Sequence, residues 1–166
     1  MIFDEQTFAQ LSNGLVYSAI AVYALALLAY AAETAGQVAG ATTLVADSPA
    51  RSRLAGATTM VAAPPSRSRR LGAVGTSLTV LAFLLNLGGV ITRGLAAGRV
   101  PWGNMYEFVL VCALAAGAAY LAFLSRRPVR AFGVWIVAIV LLALGLAVTV
   151  LYTPAGDLVP VLASYW

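Results

Sequence analysis

Four apolar runs divide the chain, and each is about as long as a lipid bilayer is thick. They predict helices over 14–33, 71–92, 104–124 and 131–152. Crossing ~30 Å of hydrocarbon takes roughly 20 helical residues. Strands do not fit, because open sheet edges cannot be satisfied in lipid and the period-2 pattern of a barrel is missing. The expected fold class is therefore all-α: a polytopic membrane protein of four transmembrane helices forming a single membrane domain over 1–166.

The polar stretches between the runs suggest an orientation. Arg51, Arg53, Arg67, Arg69 and Arg70 lie between the first and second runs, and Arg126, Arg127 and Arg130 between the third and fourth. The alternate side holds only Arg93 and Arg99, so the count is eight against two. Cytoplasmic loops carry the excess of basic residues. Both termini and the loop from Arg93 to Gly103 are thus expected outside, in a multi-pass protein of the plasma membrane. The start, "MIFDEQTF", is acidic where a cleavable signal peptide would be basic. Tyr17 and Tyr30, near opposite ends of the first run, suit interfacial rings.

The segment 34–70 reads as a cytoplasmic low-complexity loop. It holds a tandem repeat, "VAGATTLVADSPARSR" then "LAGATTMVAAPPSRSR", identical at eleven of sixteen positions. Two membrane-surface helices with arginines on anionic lipid are one reading. A duplication in a loop that tolerates insertion is the other.

Composition agrees with lipid as the solvent. Of 166 residues 61% are apolar and 10% charged, against about 25% charged in an ordinary soluble domain. The pI near 9.6 could suggest nucleic acid. The ten basic residues, all Arg, sit in short clusters beside apolar runs, so membrane orientation explains them and no nucleic-acid partner is expected. One cysteine, Cys112, excludes an internal disulfide; in the third run it reads as a small packing residue. With no His, zinc, copper and His-ligated haem sites are not expected. No metal site and no catalytic residue is assigned.

The chemistry-bearing residues gather in "GRVPWGNMYEFVL", Gly98 to Leu110. Asn104 followed three residues later by Glu107 is a capping-box pattern, and the helix dipole favours Glu107 in the first turn. Pro101-Trp102-Gly103 would form the preceding turn, with Trp102 and Tyr106 as interfacial aromatics. The same residues could also form an outward platform for a ligand or partner. Arg93 and Arg99 could pair carboxylates of an anionic ligand bidentately or snorkel to lipid phosphate. Asn86, with Gly88 and Gly89 beside it, should hydrogen-bond a neighbouring helix at close approach. Glu33 reads as a solvated helix end.

"TRGLAAGRVPWGNMYEF" (Thr92 to Phe108) resembles the second outer loop of the CcsB/CcsA/ResC-type cytochrome c biogenesis proteins, and the tail "GDLVPVLASYW" (Gly156 to Trp166) is also similar. The resemblance implies one half of a membrane cytochrome c synthase working with a ResB-type partner. It would deliver haem to the outer face for attachment to the C-x-x-C-H thiols of apocytochrome c. Haem carries two propionates, so Arg93, Arg99, Trp102, Asn104, Tyr106 and Glu107 become the expected outer-loop, cofactor-facing set. The family's haem chemistry uses a Trp-rich outer segment and flanking His ligands, and this sequence has neither. The expectation is an N-terminal part, truncated and inactive alone. The competing classes are a small four-helix transporter with Glu33 as coupling carboxylate, and a purely structural membrane subunit.

Overall fold

The computed structural model describes residues 5–46, 66–127 and 129–154. Over these the chain is all-helical: α1 (Glu5–Ala46), α2 (Ser66–Ala97), α3 (Met105–Arg126), the one-turn 3₁₀ helix η1 (Arg130–Phe132) and α4 (Gly133–Thr149). Four helical spans, α1, α2, α3 and η1 continued by α4 (Arg130–Thr149), are long and apolar enough to cross a membrane. They run up-down-up-down: α1 packs most extensively on α2, α3 on α4, and the pairs α1–α4 and α2–α3 complete a four-helix bundle. The start of α1 and the end of α4 lie at the same end, where Asn13 Nδ2 donates to the Tyr152 hydroxyl at 2.9 Å.

Both α1 and α2 extend beyond the bounds of the sequence reading. α1 begins well before residue 14, and it runs on through Val38–Ala46, the first part of the tandem repeat. α2 likewise starts at Ser66. The stretch 34–46 is therefore helix rather than loop. Its two Gly and five β-branched residues are poor helix formers beside four Ala, so the helix here is carried on from the upstream span rather than nucleated locally. The rest of the repeat up to residue 65, and the tail Gly156 to Trp166, lie outside the described residues.

The buried stripe of every helix follows a strict three-four spacing. In α1 it is Ser12, Val16, Ala19, Tyr23, Ala26, Tyr30 and Glu33; in α2 Gly72, Gly75, Thr79, Ala82, Asn86, Gly89 and Arg93. α3 buries Tyr106, Leu110, Ala113, Gly117 and Tyr120, and α4 buries Gly133, Val137, Val140, Leu144 and Ala147. That 3.5-residue period is the seam of a left-handed bundle. Exposure here means not covered by the rest of the chain, and the remaining faces carry Leu, Phe, Ile and Val outward.

Association in lipid depends on close packing, so interfaces favour small residues. Gly89 is one case. A Cβ there would lie 2.8 Å from Val16 Cγ2, and Ser12 Oγ donates across to the Gly89 carbonyl at 2.8 Å. The expected close approach at Gly88 and Gly89 is thus present. Asn86 beside them is fully buried, but neither polar atom of its amide has a partner. Among the described residues its predicted interhelical hydrogen bond is not formed.

Three other readings are corrected by the same seam. Tyr30 is not an interfacial ring: it is buried, donates to Thr76 Oγ1 at 3.2 Å, and accepts from the Tyr120 hydroxyl at 3.1 Å. Cys112 is off the seam and exposed, not packed inside. Glu33 is only 6% exposed. It falls on the α1 seam opposite Gly72, whose missing side chain leaves space for the carboxylate, and Arg130 Nη1 lies 3.8 Å away.

Candidate functional site

The site is built where α2 turns into α3. α2 needs an end, and Gly98 provides it with φ of 59°, a left-handed conformation open to glycine at no steric cost. The Gly98 N–H donates to the Leu95 carbonyl at 3.4 Å and the Arg99 N–H to the Gly94 carbonyl at 3.3 Å. These are the paired bonds of a Schellman motif. A Cβ at Gly94 would lie 3.3 Å from Pro101 Cδ, so Pro101 folds back over the last turn of α2. The Trp102 N–H closes a tight turn on the Val100 carbonyl at 2.8 Å.

α3 then starts as its sequence predicts. Asn104 is the N-cap in extended backbone, and its Oδ1 accepts from the Glu107 N–H at 2.8 Å. Glu107 reaches back one residue further than a capping box requires, accepting from the Gly103 N–H at 2.9 Å. Its side chain is fully enclosed and gathers both arginines. Arg99 Nη1 donates to Oε2 at 2.8 Å and Nη2 to Oε1 at 3.3 Å. Arg93 Nε donates to Oε1 at 3.4 Å. A Cβ at Gly103 would collide with the Arg99 guanidinium, so glycine there lets the forked pair form.

Arg93 ties this cluster to the end of α4. It is fully buried, and its Nη2 donates to the Thr153 carbonyl. Its guanidinium lies 5.0 Å from the Tyr106 ring centroid, a cation–π distance. Tyr106 in turn meets Tyr152 edge-to-face at 5.5 Å. One carboxylate thus holds two guanidinium groups, a formal excess of one positive charge. Among the described residues Arg93 Nη1 and Arg99 Nε are buried without hydrogen-bond partners.

Of the six residues expected to face a ligand, five instead interlock. Arg93 neither snorkels nor presents its charge outward, because position 93 falls on the α2 seam. Tyr106 is not an interfacial aromatic, because position 106 begins the seam of α3. Arg99 keeps 24% of its side-chain surface exposed. Trp102 alone is displayed, 67% exposed, with Val100, Met105 and Phe108 also exposed nearby in the chain. Sequence reasoning missed Thr153 and Tyr152. A carbonyl leaves no sequence signal, but an aromatic closing the fourth run at the same end as Tyr106 was a usable cue. Compared with known families, curated proteins and solved structures, the chain matches none.

Proposed function

We propose that this chain is the N-terminal membrane portion of a cytochrome c biogenesis protein of the CcsB/CcsA/ResC type. It serves as a four-helix scaffold in the plasma membrane with both termini outside. Its α2–α3 end offers a fixed aromatic platform to a ResB-type partner during haem delivery to apocytochrome c. The observation that carries the reading is the enclosed Glu107. By binding Gly103, Arg99 and Arg93 together it locks the loop while leaving Trp102 on display. A turn needed only to reverse the chain would not require a buried carboxylate and two arginines. Within this reading Arg99, partly exposed while it holds Glu107, is the arginine of the pair that would meet a haem propionate, and Arg93 positions Glu107 and Tyr106. The pairing also supports the orientation: with Arg93 and Arg99 engaged by Glu107, the remaining eight arginines all belong to the other side of the sequence.

The test is a photo-crosslinking amino acid placed at 102, at 106 or at 135, in membranes that contain a ResB-type partner. Trp102 should crosslink. Buried Tyr106 should not, and nor should Trp135, which is exposed near the opposite end of the bundle. Equal crosslinking from Trp135 and Trp102 would refute the platform. Purified alone, the chain should show no Soret band; a stoichiometric, axially ligated haem would overturn the scaffold reading.

One observation favours a second reading, a small transporter. Glu33 is buried at the edge of an open groove between helices, and a buried membrane carboxylate is a candidate coupling group. Loss of proton-coupled efflux in Glu33→Ala would select it; unchanged behaviour leaves the scaffold.

A further inference from the structure

At the end opposite the Glu107 cluster, an open groove of about 940 Å³ lies between α2 and α3 beside α1. Ligand sites commonly measure roughly 300–1,000 Å³. Its lining is divided. Arg126, Arg127 and Arg130 stand at the mouth, while Val80, Leu121 and Leu124 form an apolar wall further along the helices. Among the described residues Glu33 is the one carboxylate in the lining, 3.8 Å from Arg130. Among the described residues Arg126 and Arg127 pair with no carboxylate, and Arg130 Nε is buried without a partner. The balance is three positive charges against one negative. A neighbouring groove of about 420 Å³ between α3 and α4 shows the contrast. It is lined by Ala116, Phe123, Phe132, Ile136 and other apolar groups, so it is ordinary lipid-facing surface.

The geometry points to the groove between α2 and α3 as a binding site for one anionic phospholipid. The phosphate sits among Arg126, Arg127 and Arg130, and an acyl chain lies along Val80, Leu121 and Leu124. Charge complementarity selects the head. Arginine forks match phosphate oxygens, and basic pockets between membrane helices favour anionic headgroups. The apolar wall selects a lipid over a soluble phosphate. A zwitterionic lipid brings its own cation to a site already in positive excess, so it binds less well. The site depends only on the chain being embedded in a bilayer, and it stands or falls apart from the haem-handling reading.

Native mass spectrometry of the full chain, released from detergent micelles supplied with phosphatidylglycerol or phosphatidylcholine, tests this. Phosphatidylglycerol should be retained preferentially, as one lipid per chain. In R126Q/R127Q, where both side chains are exposed and folding is spared, retention should fall about fivefold per arginine, on the order of 25-fold together. Arg70→Gln removes an exposed charge at the same end but outside the groove, and should leave retention unchanged. Leu121→Trp keeps every arginine but fills the apolar wall, and should weaken binding too. Equal retention of the two lipids would overturn the site, as would an R70Q effect matching R126Q/R127Q or full retention in L121W. Glycerol phosphate competing as well as the intact lipid would mark a soluble-phosphate site and overturn the lipid assignment.

Discussion

Glu107→Gln is the sharpest probe of the cluster. The amide keeps the side chain's shape but removes its charge and turns one acceptor into a donor. If Oε2 becomes the NH₂, it faces the Gly103 N–H and Arg99 Nη1, both of which now lack an acceptor. If Oε1 does, Arg93 Nε and Arg99 Nη2 are stranded. Two arginines then sit beside no anion, and Arg93 has no exposure through which to find water. At an effective dielectric of 20, each pairing at about 4 Å is worth about 4 kcal/mol gross. Desolvation offsets much of that, and breaking a buried pair from one side costs about 3–5 kcal/mol net. For a chain of this length that corresponds to a melting point lower by on the order of 10 °C. Tryptophan fluorescence melts of the purified chain in detergent would read it, since Trp102 lies beside the cluster. Arg93→Met in the E107Q background supplies the second arm of a cycle: removing the stranded charge should restore part of the loss, giving a coupling of at least ~2 kcal/mol. An unchanged melt in E107Q would refute the reasoning, as would a double variant that loses the full sum of both single costs.

Two further substitutions separate helix packing from polar bonding. Gly89→Ala places a methyl 2.8 Å from Val16 Cγ2 and 3.5 Å from the Ser12 carbonyl oxygen. It should cost about 1–3 kcal/mol by overpacking and be relieved in V16A/G89A, both read by detergent melts. Tyr120→Phe deletes the 3.1 Å hydrogen bond to Tyr30 while leaving the Tyr30–Thr76 bond. Because such bonds in membranes average about 0.6 kcal/mol, Y120F should shift the melt far less than E107Q; an equal shift would show that the tyrosine pair, not the Glu107 cluster, anchors the bundle.

Sequence alone settled the number and approximate extent of the apolar helices. Length and hydropathy are properties of the chain itself, and lipid leaves few alternatives. It also predicted the start of α3: an N-cap is local, and Asn104 and Glu107 are close enough in the chain to find each other without help. Which face of each helix turns inward was a different matter. Both faces are apolar, so the amphipathic signal that betrays the core of a soluble helix is absent. Only the three-four spacing of small and polar residues from Ser12 to Glu33 and from Gly72 to Arg93 marked the seam. Tyr30, Tyr106, Glu33 and Arg93 were misplaced because each lies on that seam, while the sequence shows only that each sits near a span end.

The tertiary structure decided the partners. Glu107 could have met solvent, lipid headgroups or a ligand. It meets Arg93 from α2, fourteen residues away, and through Arg93 the Thr153 carbonyl, sixty residues beyond that arginine. Such a meeting follows from how the ends of three helices are brought together, because a buried carboxylate must find its counter-charges wherever packing places them. What the sequence determined was therefore local and one-dimensional: spans, caps and the excess of arginine on one side. What only the fold decided was which charges are enclosed, and that Trp102 is left outside them.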